Sequence, residues 1–550
     1  MPTVTQLPQQ PGGKLHREAG VVYTKPWTVE VILDLAGYTA DKPLANLVAL
    51  EPSAGDGAFL CGMVRRLVDS CKRHQIPLSR AEEALRAYDI DPNAIVSAIE
   101  TVRAELIRLD VDARTASSLA KAWIRQEDFL EASLGFPVAD FVVGNPPYIR
   151  LEEIPEGKAA LYRNAYSTMR GRADIYVAFF QAALAQLRPG GVCAYICADR
   201  WLLNDYGRAL RTLITEGYSV RYIVETHDVK AFDTAVSAYP AITVISHDKQ
   251  GPVVVAKALP GIETADTDYI VSHLKTARSN SVVRTAKFEE WFKGDEPWPC
   301  SSPETLAFLK ELESRFPLLE SDETGTMVGI GVATGADAAF VSEGRPNIEK
   351  DRILPLAMAF DLKNGKVEWS GHYLVNPWNE TGLVDLADYP RMARHLEPFR
   401  SQLEGRHTAK DRPETYHRTI DRVNLRLLSQ RKLYIADIRD RLVPSLDEGK
   451  TYPHHNIYCI TSRSWDLRVL GALLMSEVGE FFIRCYGVRM RGGYFRFQAQ
   501  YLRRIRVPEP QTISKSIAAR LARAFESNDP SLANEAALEL YGIRTLPLSR

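Results

Sequence analysis

Short apolar, strand-forming runs alternate with helical stretches from about Leu44 to Ser246, and this alternation constrains the fold more than any single motif. "NLVAL" precedes a helix over Gly57 to Arg73, "ALRAYDID" precedes a helix over Pro92 to Leu109, and "ADFVVG" follows as another strand. The helix "DIYVAFFQAALAQL" leads through a Pro-Gly-Gly turn into "VCAYICA", and "VRYIVET" and "AITVIS" complete the series. Continuous apolar strands belong to a parallel sheet, which its crossover helices bury on both faces. An α/β domain is therefore expected over residues 20–250. Beyond about Gly251 the alternation is lost. Arginines, aromatics and Gly-rich turns become prominent, and a mixed α+β second domain is expected over 251–550. It ends in two amphipathic helices, "ISKSIAARLARAFES" and "LANEAALELYGI".

A chain of 550 residues exceeds a single core, which agrees with a division into domains. Its net charge of −1 supplies no global field for nucleic acid, so such a partner must meet a local basic surface. No apolar run reaches the roughly 18 residues of a membrane span, so no membrane association is expected. Residues 1–19 lack a hydrophobic signal core and read as a flexible tail. The seven cysteines are scattered; Cys193 and Cys197 read as core residues. No Cys/His set has zinc spacing, and His454-His455 reads as an isolated loop pair, so no metal is expected. The expected setting is the reducing cytoplasm.

"LEPSAGDGAFL" places a strand-terminal acid before a loop with Gly55 and Gly57, then a helix. Glycines allow close approach of the backbone to a ligand, and the helix start offers free N–H groups. A tight strand-to-helix turn is the plain alternative. The next strand ends in "AYDIDP", where an acid can accept both hydroxyls of a ribose. The dinucleotide fingerprint GxGxxG is missing, so no pyrophosphate cradle is expected. A nucleoside without phosphate points to S-adenosylmethionine. In "QEDFL", Asp128 can accept from an adenine amino group with Phe129 against the ring; a helix cap is the plain alternative for Asp128.

The strand "ADFVVG" halts on "NPPY". Proline cannot donate to a strand ladder, so the strand must end there, at the carboxyl edge where open α/β sheets bind ligands. Two prolines hold the loop rigid. The Asn145 side-chain oxygen and the Pro146 carbonyl can then accept both hydrogens of one substrate amine. That draws the nitrogen toward sp³ geometry, localises its lone pair, and stabilises the positive charge that develops as it attacks an activated methyl. Tyr148 offers a face on which a planar substrate stacks.

In order and content these motifs resemble the gamma-class, TaqI-type adenine-N6 DNA methyltransferases. The resemblance implies a Rossmann-like class I methyltransferase domain, followed by a DNA target recognition domain. It also implies S-adenosylmethionine as cofactor and double-stranded DNA as substrate. "VVYTKPWTVEVILDLAGY" resembles the family's N-terminal element, which implies that Tyr23, Thr24 and Pro26 close over the methionine end of the cofactor. Glu51, Ser53 and Gly55 fall in the cofactor loop, Asp89 in the ribose position, and Asp128 and Phe129 in the adenine-binding pair. "VKAFDTAVSAYPAITVIS" maps Phe232 to a residue packed against the flipped base. "VGIGVATGADAAFV" and "GGYFRFQAQYLRRIRVPEP" resemble recognition-domain elements. Asn-Pro-Pro-Tyr also serves protein-glutamine, RNA-base and cytosine-N4 methyltransferases, which use the same amine chemistry. Two further alternatives are a fusion that also cleaves DNA, using Asp437 with Glu448 and Lys450, and a non-catalytic DNA-binding specificity protein.

Between Arg484 and Arg506 the chain carries many arginines with interleaved aromatics and no acid. Arg489, Arg491, Arg496, Arg503 and Arg504 are the expected DNA-binding residues, by the logic of phosphate contact plus stacking. A second basic stretch runs from Arg406 to Lys432 with acids mixed in. The chain is expected to act as a monomer, with a cognate restriction or defence system as its possible companion.

Overall fold

The computed structural model describes residues 24–133, 138–233, 239–409, 412–487 and 493–547. The chain divides into two compact units, Met1–Pro303 and Glu304–Arg550.

The first unit is built on one nine-stranded sheet with the order β3-β2-β1-β4-β5-β7-β6-β8-β9. The strands are β1 (Ala49–Glu51), β2 (Leu85–Asp89), β3 (Ile124–Gln126), β4 (Ala139–Gly144), β5 (Leu187–Ala198), β6 (Ser219–Glu225), β7 (Pro240–Ser246), β8 (Val253–Ala258) and β9 (Val283–Phe288). Strands β1 to β5 are mutually parallel, and β7 inserts antiparallel between β5 and β6. The helices are α1 (Pro26–Ala36), α2 (Ala58–His74), α3 (Pro92–Arg108), α4 (Ala113–Trp123), α5 (Phe129–Ala132), α6 (Glu156–Ala165), α7 (Tyr176–Gln186), α8 (Arg208–Gly217) and α9 (Thr267–Thr276). Local chemistry starts them where expected: Asp91 caps α3 through the Asn93 N–H at 2.9 Å, with Pro92 in the first turn. The core joins α1, α2, α3 and α9 to the sheet through residues such as Ile32, Leu60, Val102, Leu274 and Val143.

Two elements depart from the expected layout. Strand β3 is an additional edge strand beside β2, only three residues long and therefore without a period of its own. The sheet also continues past residue 250. Strand β8 pairs parallel with β6, and β9 pairs antiparallel with β8. A boundary at 250 would cut this sheet; the first unit runs to Pro303.

The second unit has mixed sheets, as an α+β reading expects. Its six-stranded sheet centres on Lys432–Ala436 between Ile457–Thr461 and Ser445–Asp447. A four-stranded sheet runs through His372–Val375 and Ile353–Ala357. The two C-terminal helices are Lys515–Glu526 and Pro530–Tyr541, the second stopped by Gly542 at φ 66°. The seven cysteines form no disulfide, and Cys193 and Cys197 lie in the core. Among the described residues, no helix is long and apolar enough to cross a membrane.

Candidate active site

The strand order reverses between β1 and β4, so the loops after Glu51 and Gly144 flank the switch point of the sheet. They are tied together there: the Ser53 hydroxyl donates to the Asn145 carbonyl at 2.8 Å. The Asn145 amide Nδ2 donates to Thr24 Oγ1 at 3.3 Å, across 121 positions of sequence. Thr24 pairs in a bridge with Phe232, and the Lys25 N–H donates to the Ala231 carbonyl at 3.0 Å. Helix α1 is anchored behind them by Arg66 to Asp34 at 2.7 Å and Arg65 to Glu30 at 2.8 Å, both arginines on α2. The Asn145 backbone and side chain are thus oriented from two sides. Pro146 beside it is buried, and Pro26 opens α1 at its first turn. Tyr23 lies outside the described residues.

Glu51 ends β1 buried, 1% exposed, and its Oε2 has no hydrogen-bond partner. Burial, with Asp56 and Asp89 nearby, holds its carboxyl well above the usual range. Gly55 adopts φ 52°, and a Cβ there would meet nothing within 4 Å, so the backbone faces open space. Asp89 shapes this loop: Oδ2 accepts the Gly55 N–H at 2.9 Å and Oδ1 accepts the Asp91 N–H at 2.9 Å. A carboxylate has about four lone-pair sites, so Asp89 keeps capacity for a diol. Asp91 is occupied as the cap of α3. The sequence reading missed Ile90, which is 63% exposed between the two acids. An apolar residue left in water at the carboxyl end of a buried strand was the available signal.

Asp128 and Phe129, expected to meet the adenine, have partners within the fold. Asp128 caps α5 through the Leu130 N–H at 3.1 Å, while Oδ2 accepts from Lys158 at 2.7 Å and Tyr162 at 2.5 Å, both on α6. Phe129 is only 3% exposed, its ring between Tyr88 and Phe179 at 5.5 and 5.8 Å. The aromatic pair also differs. Tyr148 and Phe232 meet edge to face, centroids 6.4 Å apart at 74°, which leaves no gap for a base between parallel faces. Tyr148 is half-buried, its hydroxyl donating to the Ile196 carbonyl at 3.3 Å, whereas Phe232 is buried.

Further titratable groups stand at the same edge. The Asp174 backbone pairs with Arg150 in an isolated β-bridge beside the NPPY loop; one of its buried carboxylate oxygens is unpartnered, and burial pushes its carboxyl up to about 7. A lone acid ahead of the apolar "IYVAFF" was its sequence signal. Asp199 follows β5, Glu225 ends β6 and His227 lies just beyond it, and their ligand atoms lie within 4.8 Å of one another. His227 Nε2 meets Asp199 at 2.7 Å, and burial pushes the Glu225 carboxyl up to about 7.

In the second unit the expected DNA-binding arginines have partners inside the fold. Arg503 pairs with Glu320 at 3.0 Å and donates to the Val328 carbonyl at 2.7 Å. Arg504 lies over the Tyr486 ring at 4.7 Å, and Arg496 pairs with Asp437. Arg489 and Arg491 lie outside the described residues. In the second basic stretch, Arg406 donates to the Thr334, Tyr416 and Arg418 carbonyls, and Lys432 is buried on Asp447 at 2.8 Å. Exposed Arg422 and Arg426 line a groove of about 620 Å³ with Asn379 and Asn424. The nuclease-like trio does not assemble: Asp437 is held by Arg496, and Glu448 by Arg431 at 2.6 Å. The pair His454-His455 is not isolated, because Asp337 reaches it at 3.0 Å.

The family profile described as "Eco57I restriction-modification methylase" matches residues 84–232. The chain is 41% identical over 536 residues to "Type II methyltransferase M.XhoI" of Xanthomonas vasicola, covering 96% of this chain and 97% of that one. It is 41% identical over 532 residues to "Type II methyltransferase M.PaeR7I" of Pseudomonas aeruginosa, covering 95% and 92%. In fold it is similar to the Type IIL restriction-modification enzyme MmeI, solved in complex with DNA. That TM-score is 0.61 at 11% identity, over 94% of this chain and 74% of that chain.

Proposed function

The chain belongs to the Type II DNA methyltransferases of restriction-modification systems, and on that premise we propose that it methylates the N6 amino group of adenine at a specific site in double-stranded DNA. S-adenosylmethionine is the methyl donor, and supplies an activated methyl group on a sulfonium centre. The residues present fit it. The unpartnered Oε2 of Glu51 suits a cationic ligand group, since an adjacent positive charge restores the ionised carboxylate. Asp89 has acceptor capacity for the ribose hydroxyls, and Ile90 offers an apolar face to a purine ring.

The carrying observation is the way Asn145 is held. With Nδ2 donating to Thr24 and its carbonyl accepting from Ser53, the side-chain amide presents its oxygen on the side away from Thr24. That oxygen and the Pro146 carbonyl accept the two hydrogens of the target amine. The acceptors are fixed before reaction, so they stabilise the charge that develops on nitrogen without reorganising. The adenine must leave the duplex stack to reach them. Tyr148 then covers the base, and Phe232, bridged to Thr24, must shift or meet its edge. The adenine assignment rests on Asn, rather than the Ser more usual for cytosine-N4 enzymes, ahead of Pro-Pro-Tyr. Reading of the DNA sequence is assigned to the second unit.

The test is methylation of duplex DNA by the purified chain, followed by digestion to nucleosides and mass spectrometry. N6-methyladenine is expected. N4-methylcytosine as the product would overturn the adenine reading while leaving the amine mechanism intact.

A further inference from the structure

We propose that Asp337, His454 and His455 form a binding site for a divalent transition-metal ion, zinc by its donor set, in the second unit. Their ligand atoms lie within 4.8 Å of one another. His454 Nε2 is 3.0 Å from Asp337 Oδ2 and 3.0 Å from His455 Nδ1. Zinc–donor bonds of about 2.0–2.1 Å in tetrahedral geometry put neighbouring donors about 3.3 Å apart, so His454 Nε2 already stands near ligand spacing from each of the other two donors. One carboxylate and two imidazoles, with further positions open, is a recurrent donor set for such ions.

The surrounding bonds point the same way. His454 Nδ1 faces Asn456 Oδ1, an acceptor, at 3.0 Å, so Nδ1 carries the ring proton. In the neutral ring, Nε2 then presents a lone pair to the Asp337 carboxylate, which also presents lone pairs. A cation between them resolves that conflict and engages His455 as well; without one, His454 meets Asp337 only as a protonated imidazole donating from both nitrogens. Asp337 is oriented by a second contact: its Oδ1 accepts from the hydroxyl of buried Thr334, which leaves Oδ2 toward the histidines. Outer partners of this kind fix ligand tautomer and direction in metal sites.

The backbone brings the ligands together at a close crossing. The Val332 N–H donates to the Pro453 carbonyl at 2.9 Å, and the Gly331 N–H to the Ile457 carbonyl at 2.9 Å. A Cβ on Gly331 would come within 2.1 Å of the His454 carbonyl, so this approach requires glycine. The ion would clasp the start of the short helix Asp337–Phe340 to the turn carrying the histidines. His454 is buried, while Asp337 and His455 are exposed, which gives an entry path.

The test uses the full chain stripped with chelator and titrated with cobalt(II) as a spectroscopic probe, then with zinc in competition. One equivalent of cobalt should give a visible ligand-field band that zinc abolishes, and zinc should raise the melting temperature. Asp337→Asn and His455→Ala, both at exposed positions, should lose the band while keeping the wild-type circular dichroism. Asn456→Ala should keep the site and weaken it about 10–100-fold. No band in the wild type, or the same band and affinity in both ligand variants, would overturn the proposal.

Discussion

At the residue scale the role proposed for Asn145 is tested on the chemical step, and those of Glu51 and Asp174 on pH dependence. Asn145→Ala removes one fixed acceptor. By analogy with the loss of one preorganised oxyanion donor, single-turnover methylation should slow about 10²–10³-fold, with unchanged affinity for S-adenosylmethionine. Turnover close to wild type would sink the role assigned to Asn145. Burial pushes the Glu51 carboxyl well above the usual range. Binding a cationic group ionises it, so wild-type cofactor affinity should rise with pH until the raised pKa is passed, with proton release. Glu51→Gln should weaken binding by about 1.5–3 kcal/mol and remove that pH dependence, both measurable by calorimetry at two pH values. Asp174, pushed up to about 7 by burial, acts on stability. Its favourable contribution is present below the ordinary carboxyl range and is lost as pH rises through about 7. Asp174→Asn keeps the neutral shape, so at pH 8 it should melt higher than wild type, by of order 1–2 kcal/mol, and match it near pH 4.

At the element scale, helix starts and strand ends follow local chemistry, but the use of side chains does not. The strand "ADFVVG" ends at Gly144 as its prolines require, and Asp91 and Pro92 start α3. The arginine stretch before Arg506 was legible as charge, while its ion pairs were not. Glu320 lies 183 positions from Arg503, and no local pattern announces their pairing. Replacing Arg503 and Arg504 with alanine should therefore lower the melting temperature more than it flattens the salt dependence of DNA binding. Replacing Arg422 and Arg426, exposed at their groove, should flatten that dependence by about 0.9 per lost phosphate contact. Equal salt slopes for wild type and the Arg422/Arg426 double variant would place the DNA elsewhere.

At the scale of the whole molecule, the extent of the first unit sets what can fold. Strand β8 covers the edge of β6, and α9 adds Ile270 and Leu274 to the core shared with α1. A fragment ending at 250 exposes that strand edge and core face, and should aggregate or melt without cooperativity. A fragment ending at 303 should melt cooperatively and still bind S-adenosylmethionine. Calorimetry on the two fragments decides it. By itself the sequence determined the parallel sheet, the glycine loop, the rigid loop at Asn145 and the methyltransferase family. Each is written in contiguous residues, through apolar period, turn chemistry and proline sterics. Only the tertiary structure decided that Thr24 orients Asn145, that Asp128 is held by Lys158 and Tyr162, and that Asp337 meets the two histidines. These contacts join side chains far apart along the chain. Spacing in one sequence carries no signal for them, because packing of the elements, not local propensity, sets which polar groups become neighbours.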